Sequence, residues 1–256
     1  DWTIIFQLGV AHERKGERQQ AIHYFNQYLL HARKGPNAGK AYYLLGGFAR
    51  AQGNAELAAT YFKHAATLGD SGPATSDIAD LLFQTEEYTQ AARQYRLLAA
   101  SAESTATKQL YQSRAIVAAL RADHIPEAEE LIGEFNTVYG ELREYRAEFE
   151  YEKGTRYFRQ QDYTSAMHVF EKVAGEYEKT RFGPWGHYYL GKIAESINKP
   201  DDAARKYESI LKQFPQSDVI PRVLLSLGNM HFNAERFDVA ITCFRHILDA
   251  PESAGD

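Results

Sequence analysis

The stretch PWGHYYLGKIAESINKPDDAARKYESILKQFP, residues 184–215, decides the fold. Its apolar residues recur at spacings of three and four on both sides of Asn198-Lys199-Pro200, which predicts two helices joined by a tight turn. In the first helix a large residue precedes a small one, Leu190-Gly191. Twelve residues after Gly191 comes Ala203, with Tyr207 four further on. Small residues on both helices let the backbones approach, and the large ones then fill grooves on the partner helix.

The same signature recurs on either side of this stretch. Leu8-Gly9, Leu45-Gly46, Ile78-Ala79 and Leu227-Gly228 repeat the large-small pair; Ala21 and Phe25, Ala58 and Phe62, Ala91 and Tyr95, and Ala240 and Phe244 repeat the second element. Two weaker copies fill the gap: Gly154 with Ala166 and Phe170, and Ile116 with Ala128 and Ile132, where the small first residue is lost. The anchors at 9, 46, 79, 116, 154, 191 and 228 step by 37, 33, 37, 38, 37 and 37 residues. Lys15-Gly16 and Gly53-Asn54 supply turns inside the units. Gly35-Pro36, Gly72-Pro73, Gly183-Pro184, Phe214-Pro215 and Pro221 supply breakers between them. A lone hairpin leaves an apolar face in water, so such units stack on one another.

This pattern resembles the tetratricopeptide repeat (TPR) family over nearly the whole chain. Leu190, Gly191, Ala203, Tyr207, Ile210 and Pro215 stand at the family's motif positions, and Leu224, Leu227, Gly228, Ala240, Phe244 and Ile247 match in the seventh copy. The resemblance implies an all-α, right-handed superhelical solenoid of about seven hairpins, one domain over 1–256. The repeats are expected at 2–35, 39–71, 72–105, 109–142, 147–180, 184–217 and 221–252. The usual period is ~34 residues; the longer steps here resemble bacterial cell-envelope members of the family. They favour the periplasm or an outer-membrane association, with the cytoplasm as the alternative.

Composition narrows the function classes. The net charge of −5 lacks the basic field that nucleic-acid binding needs. No apolar run reaches the ~18–20 residues of a membrane span. A single cysteine, Cys243, rules out an internal disulfide or a cysteine zinc site. The nine histidines show no converging ligand spacing, and His12-Glu13 lacks the second histidine of a zinc-protease helix. Gly46-Gly47 sits within a predicted helix and not after a strand, so it makes no phosphate loop. Neither a catalytic centre, a metal nor a cofactor is expected.

In the family, the first helix of each hairpin lines a concave groove. Carried over residue by residue, that resemblance places Tyr43, Arg50, Phe83, Arg121, Tyr151, Phe158, Arg159, Trp185, Tyr188, Lys192 and Phe232 in a partner-binding groove. Tyr151, Phe158, Arg159, Trp185, Tyr188 and Lys192 form its densest stretch. Aromatics interleaved with cations are the usual material of binding hot spots. A protein or peptide with acidic and aromatic character is the partner they imply. Aromatics on such helices also pack against the next repeat, and cations there also fit a solvated face; both readings stand open at this point.

The leading expectation is therefore a non-enzymatic scaffold or adaptor binding a protein segment in its groove, in envelope assembly or secretion. The alternative is a ligand-sensing or regulatory module cut from a larger protein. It is favoured by an opening at Asp1 already inside an amphipathic segment, and by a stop at Ala250-Pro251-Glu252 without a polar capping helix. A third reading, compatible with either, is self-association through the outermost repeats.

Overall fold

The computed structural model describes residues 2–68, 74–140 and 142–249. Gly72-Pro73 and Ala250-Pro251-Glu252 lie outside these described residues. Within them are fourteen helices and no strand. They are α1 Trp2–Arg14, α2 Arg18–His31, α3 Ala38–Ala51, α4 Ala55–Thr67, α5 Ala74–Gln84, α6 Tyr88–Ser101 and α7 Thr105–Arg121. The rest are α8 Ile125–Tyr139, α9 Arg143–Arg159, α10 Tyr163–Glu176, α11 Gly183–Ser196, α12 Pro200–Gln213, α13 Ile220–Asn233 and α14 Phe237–Leu248. The chain divides into two compact units, Asp1–Phe135 and Asn136–Asp256.

Each unit is a helical-repeat solenoid. In the first, α1 packs on α2, α3 on α4 and α5 on α6, and the hairpins stack through α2 with α3, α4 with α5 and α6 with α7. In the second, α9 packs on α10, α11 on α12 and α13 on α14, with α10 on α11 and α12 on α13 as the stacking contacts. The first helices α9 and α11 also touch. Helix starts follow ordinary capping chemistry: the side chains of Asn54, Ser104 and Asp162 accept from the backbone of Leu57, Thr107 and Ser165. Pro184, Pro200 and Pro221 occupy first-turn positions, where no N–H is missed.

The contact inside five of the hairpins is a ring laid over a glycine. A Cβ added to Gly9 would stand 2.6 Å from the Phe25 ring, one on Gly154 2.7 Å from Phe170, and one on Gly46 2.8 Å from Phe62. Gly191 meets Tyr207, and Gly228 meets Phe244, closer still. The alanines at 21, 58, 91, 128, 166, 203 and 240 are all buried, so both expected close approaches are present.

The turn between paired helices is the same in all seven hairpins. Gly16, Gly53, Glu86, Asp123, Gln161, Asn198 and Glu235 all adopt φ between 59° and 76°. One residue later, the N–H of Glu17, Asn54, Glu87, His124, Asp162, Lys199 or Arg236 donates to the carbonyl five residues back, at 2.8–3.0 Å. This pair of features is the Schellman ending of a helix, which satisfies carbonyls the last turn leaves open. It identifies the hairpin around Ile116 as a full member, although its anchor residue departs from the others. There, an aliphatic Ile132 stands where the other copies carry a ring.

Two predictions follow from this geometry. Gly191→Ala pushes a methyl into the Tyr207 ring and is expected to cost roughly 1–3 kcal/mol. Gly47→Ala, in α3 with nothing within 4 Å of the new atom, is expected to stabilise by up to about 1 kcal/mol through helix propensity. Urea unfolding midpoints would separate the two; equal effects would show that the ring contact is slack. Gln161→Gly relieves a left-handed residue with a Cβ and is expected to gain about 0.5–1 kcal/mol, while Gly53→Ala loses about 1–2 kcal/mol. Thermal melts of both variants test the turn, and a gain from Gly53→Ala would contradict it.

Candidate functional site

In the second unit, α9 and α11 carry most of the expected groove residues. Tyr151 is half-buried, its ring 5.3 Å from Phe182, 5.7 Å from Tyr189 and 6.1 Å from Trp185. Burial raises the Tyr189 hydroxyl above the usual tyrosine range, partly offset by a hydrogen bond with Tyr151. Phe158 lies between Tyr163 and Tyr189, at 5.7 and 5.4 Å. Tyr188 is buried, 5.8 Å from Tyr207, and belongs to the core around Ile210 and Val223. Three residues after Trp185 along α11, its ring packs into that core.

Trp185 keeps an open side. Its indole N–H donates to Asp218 Oδ1 at 2.8 Å, and the Arg222 guanidinium lies 5.7 Å from its ring centroid. Lys192 pairs with Glu195 at 2.5 Å. Arg159 stands exposed at the end of α9, with no ion-pair partner among the described residues. The second unit thus brings Tyr151, Trp185 and Tyr188 into one ring cluster, to which Phe158 is joined through Tyr189. Phe232 is not part of it: it is exposed on α13 and touches Phe237 at 5.5 Å.

In the first unit, the Tyr43 hydroxyl donates to Asp77 Oδ2 at 2.8 Å, and its ring meets Phe62 edge-on at 5.5 Å. Burial, then the bond to Asp77, raises its pKa above the ordinary tyrosine value. Arg50 is exposed. Phe83 packs against Tyr88 and Tyr95, and Arg121 lies 4.7 Å from its ring centroid. A cavity of about 280 Å³ opens elsewhere in this unit, lined by Arg96, Lys108, Gln112, Ile116 and Leu131 among others.

Asp77, Asp218 and Tyr189 were not singled out from sequence. The acids do leave a trace, because Tyr43 precedes Asp77 by 34 residues and Trp185 precedes Asp218 by 33. Each is an aromatic donor about one repeat ahead of a carboxylate. Burial pushes the Cys243 thiol pKa up, which disfavours the reactive thiolate. Among the described residues, no group of three histidines, cysteines or carboxylates is placed to hold a metal ion, and no helix is long and apolar enough to cross a membrane.

Comparison with known proteins bears on the fold. Residues 6–73, 151–218 and 188–255 match the family model described as tetratricopeptide repeat. No curated protein matches the sequence. Among solved structures, a tetratricopeptide repeat protein from Parabacteroides merdae is similar at 14% identity, over 99% of this chain and 94% of that one, with a TM-score of 0.52. The structure of pilF from Pseudomonas aeruginosa is 16% identical over 91% of this chain and 97% of its own, with a TM-score of 0.39. The ring-over-glycine hairpins and the matched residues agree: the chain belongs to the tetratricopeptide repeat family.

Proposed function

We propose that the chain is a non-catalytic protein-binding scaffold that seats an acidic, aromatic peptide segment on the first helices of its second unit. The observation that carries this reading is the open corner at Trp185. There the indole N–H is already held by Asp218 and one face lies under Arg222, so the ring is fixed while remaining half-exposed. A fixed aromatic loses little entropy on contact, and a nearby cation adds directed attraction for a carboxylate. Arg159, on the neighbouring first helix α9, is an exposed cation, and Lys192 lies one position past the Gly191 anchor. Tyr151 and Phe158 brace this surface from below. The lengthened connections between repeats favour a bacterial-envelope setting for that partner.

The test uses Trp185 as its own reporter. With Trp2→Phe removing the other tryptophan, a synthetic peptide alternating aspartate and phenylalanine is titrated against the chain, beside a lysine-phenylalanine control. The acidic peptide is expected to give a saturable change in emission and the control none. Arg159→Glu with Arg222→Glu is expected to weaken binding at least about tenfold, or roughly 1.4 kcal/mol. Equal binding by the double variant would move the site elsewhere, and no saturable response to the acidic peptide would remove this reading.

A further inference from the structure

One stacking junction of the first unit lacks the side chains that fill the others. Two positions mark each junction: the residue eight past the buried alanine of a second helix, and the residue just before the small anchor of the next first helix. Between α2 and α3 they are Leu29 and Leu45, 6% and 2% exposed within one core. Between α12 and α13 they are Leu211 and Leu227, again in one core. Between α4 and α5 they are Ala66 and Ile78, and between α10 and α11 Ala174 and Leu190, one small and one large. Between α6 and α7 they are Ala99 and Ala115, so both are small. The large-small order of the other anchors is reversed there, to Ala115-Ile116.

The cavity of about 280 Å³ lies at this junction. Its apolar walls are Ala99 and Ala100 of α6, Ala115 and Ile116 of α7, and Leu131 of α8, three consecutive helices in the interior of the chain. Packed interiors leave few voids larger than a water molecule. Hollows lined by aliphatic carbon take up small apolar molecules even at roughly 150 Å³. This one stands just under the usual range of ligand pockets, roughly 300–1,000 Å³, a size for one small molecule.

The rim is polar, and it too is particular to this junction. Arg96 is committed to Glu127, its Nη1 donating to Oε1 at 2.8 Å. Lys108 and Glu134 are an exposed cation and an exposed anion lining the same hollow. Gln112, one turn after Lys108 on α7, adds an amide that both donates and accepts. At the two leucine-filled junctions, the counterparts of Lys108 and Gln112 are Ala38 and Tyr42, and Ile220 and Leu224. Those of Glu134 are His64 and His246.

We propose that this cavity binds a free α-amino acid with an apolar side chain of leucine or phenylalanine size. The side chain takes the space that a leucine pair fills at other junctions. The α-carboxylate meets Lys108 and the α-ammonium meets Glu134, as charge-assisted hydrogen bonds. A hydrocarbon body with both charges on one carbon answers the whole lining. A fatty acid leaves Glu134 without a counterpart, and an apolar amine leaves Lys108 without one. The site is independent of the peptide-binding surface on α9 and α11.

Backbone amide shifts of the isotope-labelled 256-residue chain, followed by nuclear magnetic resonance, test it. L-Leucine and L-phenylalanine are expected to shift Ala99, Lys108, Ala115 and Glu134 saturably. N-Acetyl-L-leucine lacks the ammonium and L-leucinamide the carboxylate; each is expected to bind at least about tenfold more weakly than L-leucine. Ala115→Leu restores the residue of the leucine-filled junctions and is expected to abolish binding, with circular dichroism checking that helicity is kept. Should that variant unfold, Lys108→Ala changes only an exposed position. It is expected to weaken L-leucine about tenfold while leaving L-leucinamide unchanged. The proposal is overturned by no saturable response to either amino acid, or by a blocked derivative that binds as tightly as L-leucine. Undiminished binding in folded Ala115→Leu, or in Lys108→Ala, overturns it as well.

Discussion

Five hairpins of this protein depend on an aromatic ring packed where the facing residue has no side chain. Gly9 with Phe25, Gly46 with Phe62, Gly154 with Phe170, Gly191 with Tyr207 and Gly228 with Phe244 repeat that contact at one spacing. It sets the distance between paired helices, and that distance sets where the turn must close. A short, left-handed turn ending in a six-to-one hydrogen bond meets the requirement. The turn then holds its shape even where Glu86, Gln161 or Glu235 occupies the left-handed position at a backbone cost. A turn retained against residue preference shows that packing across the hairpin outweighs about a kilocalorie of local strain.

Between hairpins, the same aromatic abundance serves a second purpose. Tyr43 to Asp77 and Trp185 to Asp218 are hydrogen bonds from one repeat to the start of the next, and Arg121 over Phe83 joins α7 to α5. Such directed contacts fix how one repeat sits on another more sharply than aliphatic packing, which is non-directional. They also explain why so few of the ring-bearing positions are free for a partner. Tyr188 is spent in the core, Phe158 on the following hairpin, and Tyr151 among four neighbouring rings.

The repeat was legible because its determinants are local and chemically extreme: a residue without a side chain, an alanine twelve positions on, then a large apolar residue. Even the hairpin at Ile116 could be placed, from Ala128 and the spacing alone. The groove was less legible. Helical periodicity says which side chains share a face, but it does not say how far the next repeat covers that face. Trp185 and Tyr188 sit three residues apart on one helix, yet one is half-open and the other is core. The left-handed glutamates and glutamine were invisible for a different reason. Nothing in those residue types favours the conformation, and only the flanking helices impose it.

Repeat architecture separates two kinds of surface that a globular fold would mix. A stacking face is copied from hairpin to hairpin, so its chemistry is constrained by the neighbour it must meet. The exposed side of the first helices has no such neighbour and can vary freely. In this chain most of the constrained positions are apolar, as at Ala41, Leu45, Phe149, Val223 and Leu227. Ile4, Leu8, Ile241 and Leu248 share the apolar character of Val223, Leu227, Ile22 and Leu29. In the second unit, exposed positions outside those contacts carry Arg159 and Arg222, and Arg222 lies over the Trp185 ring. The neighbour a stacking position must meet limits what it can hold, and an exposed position carries no such limit.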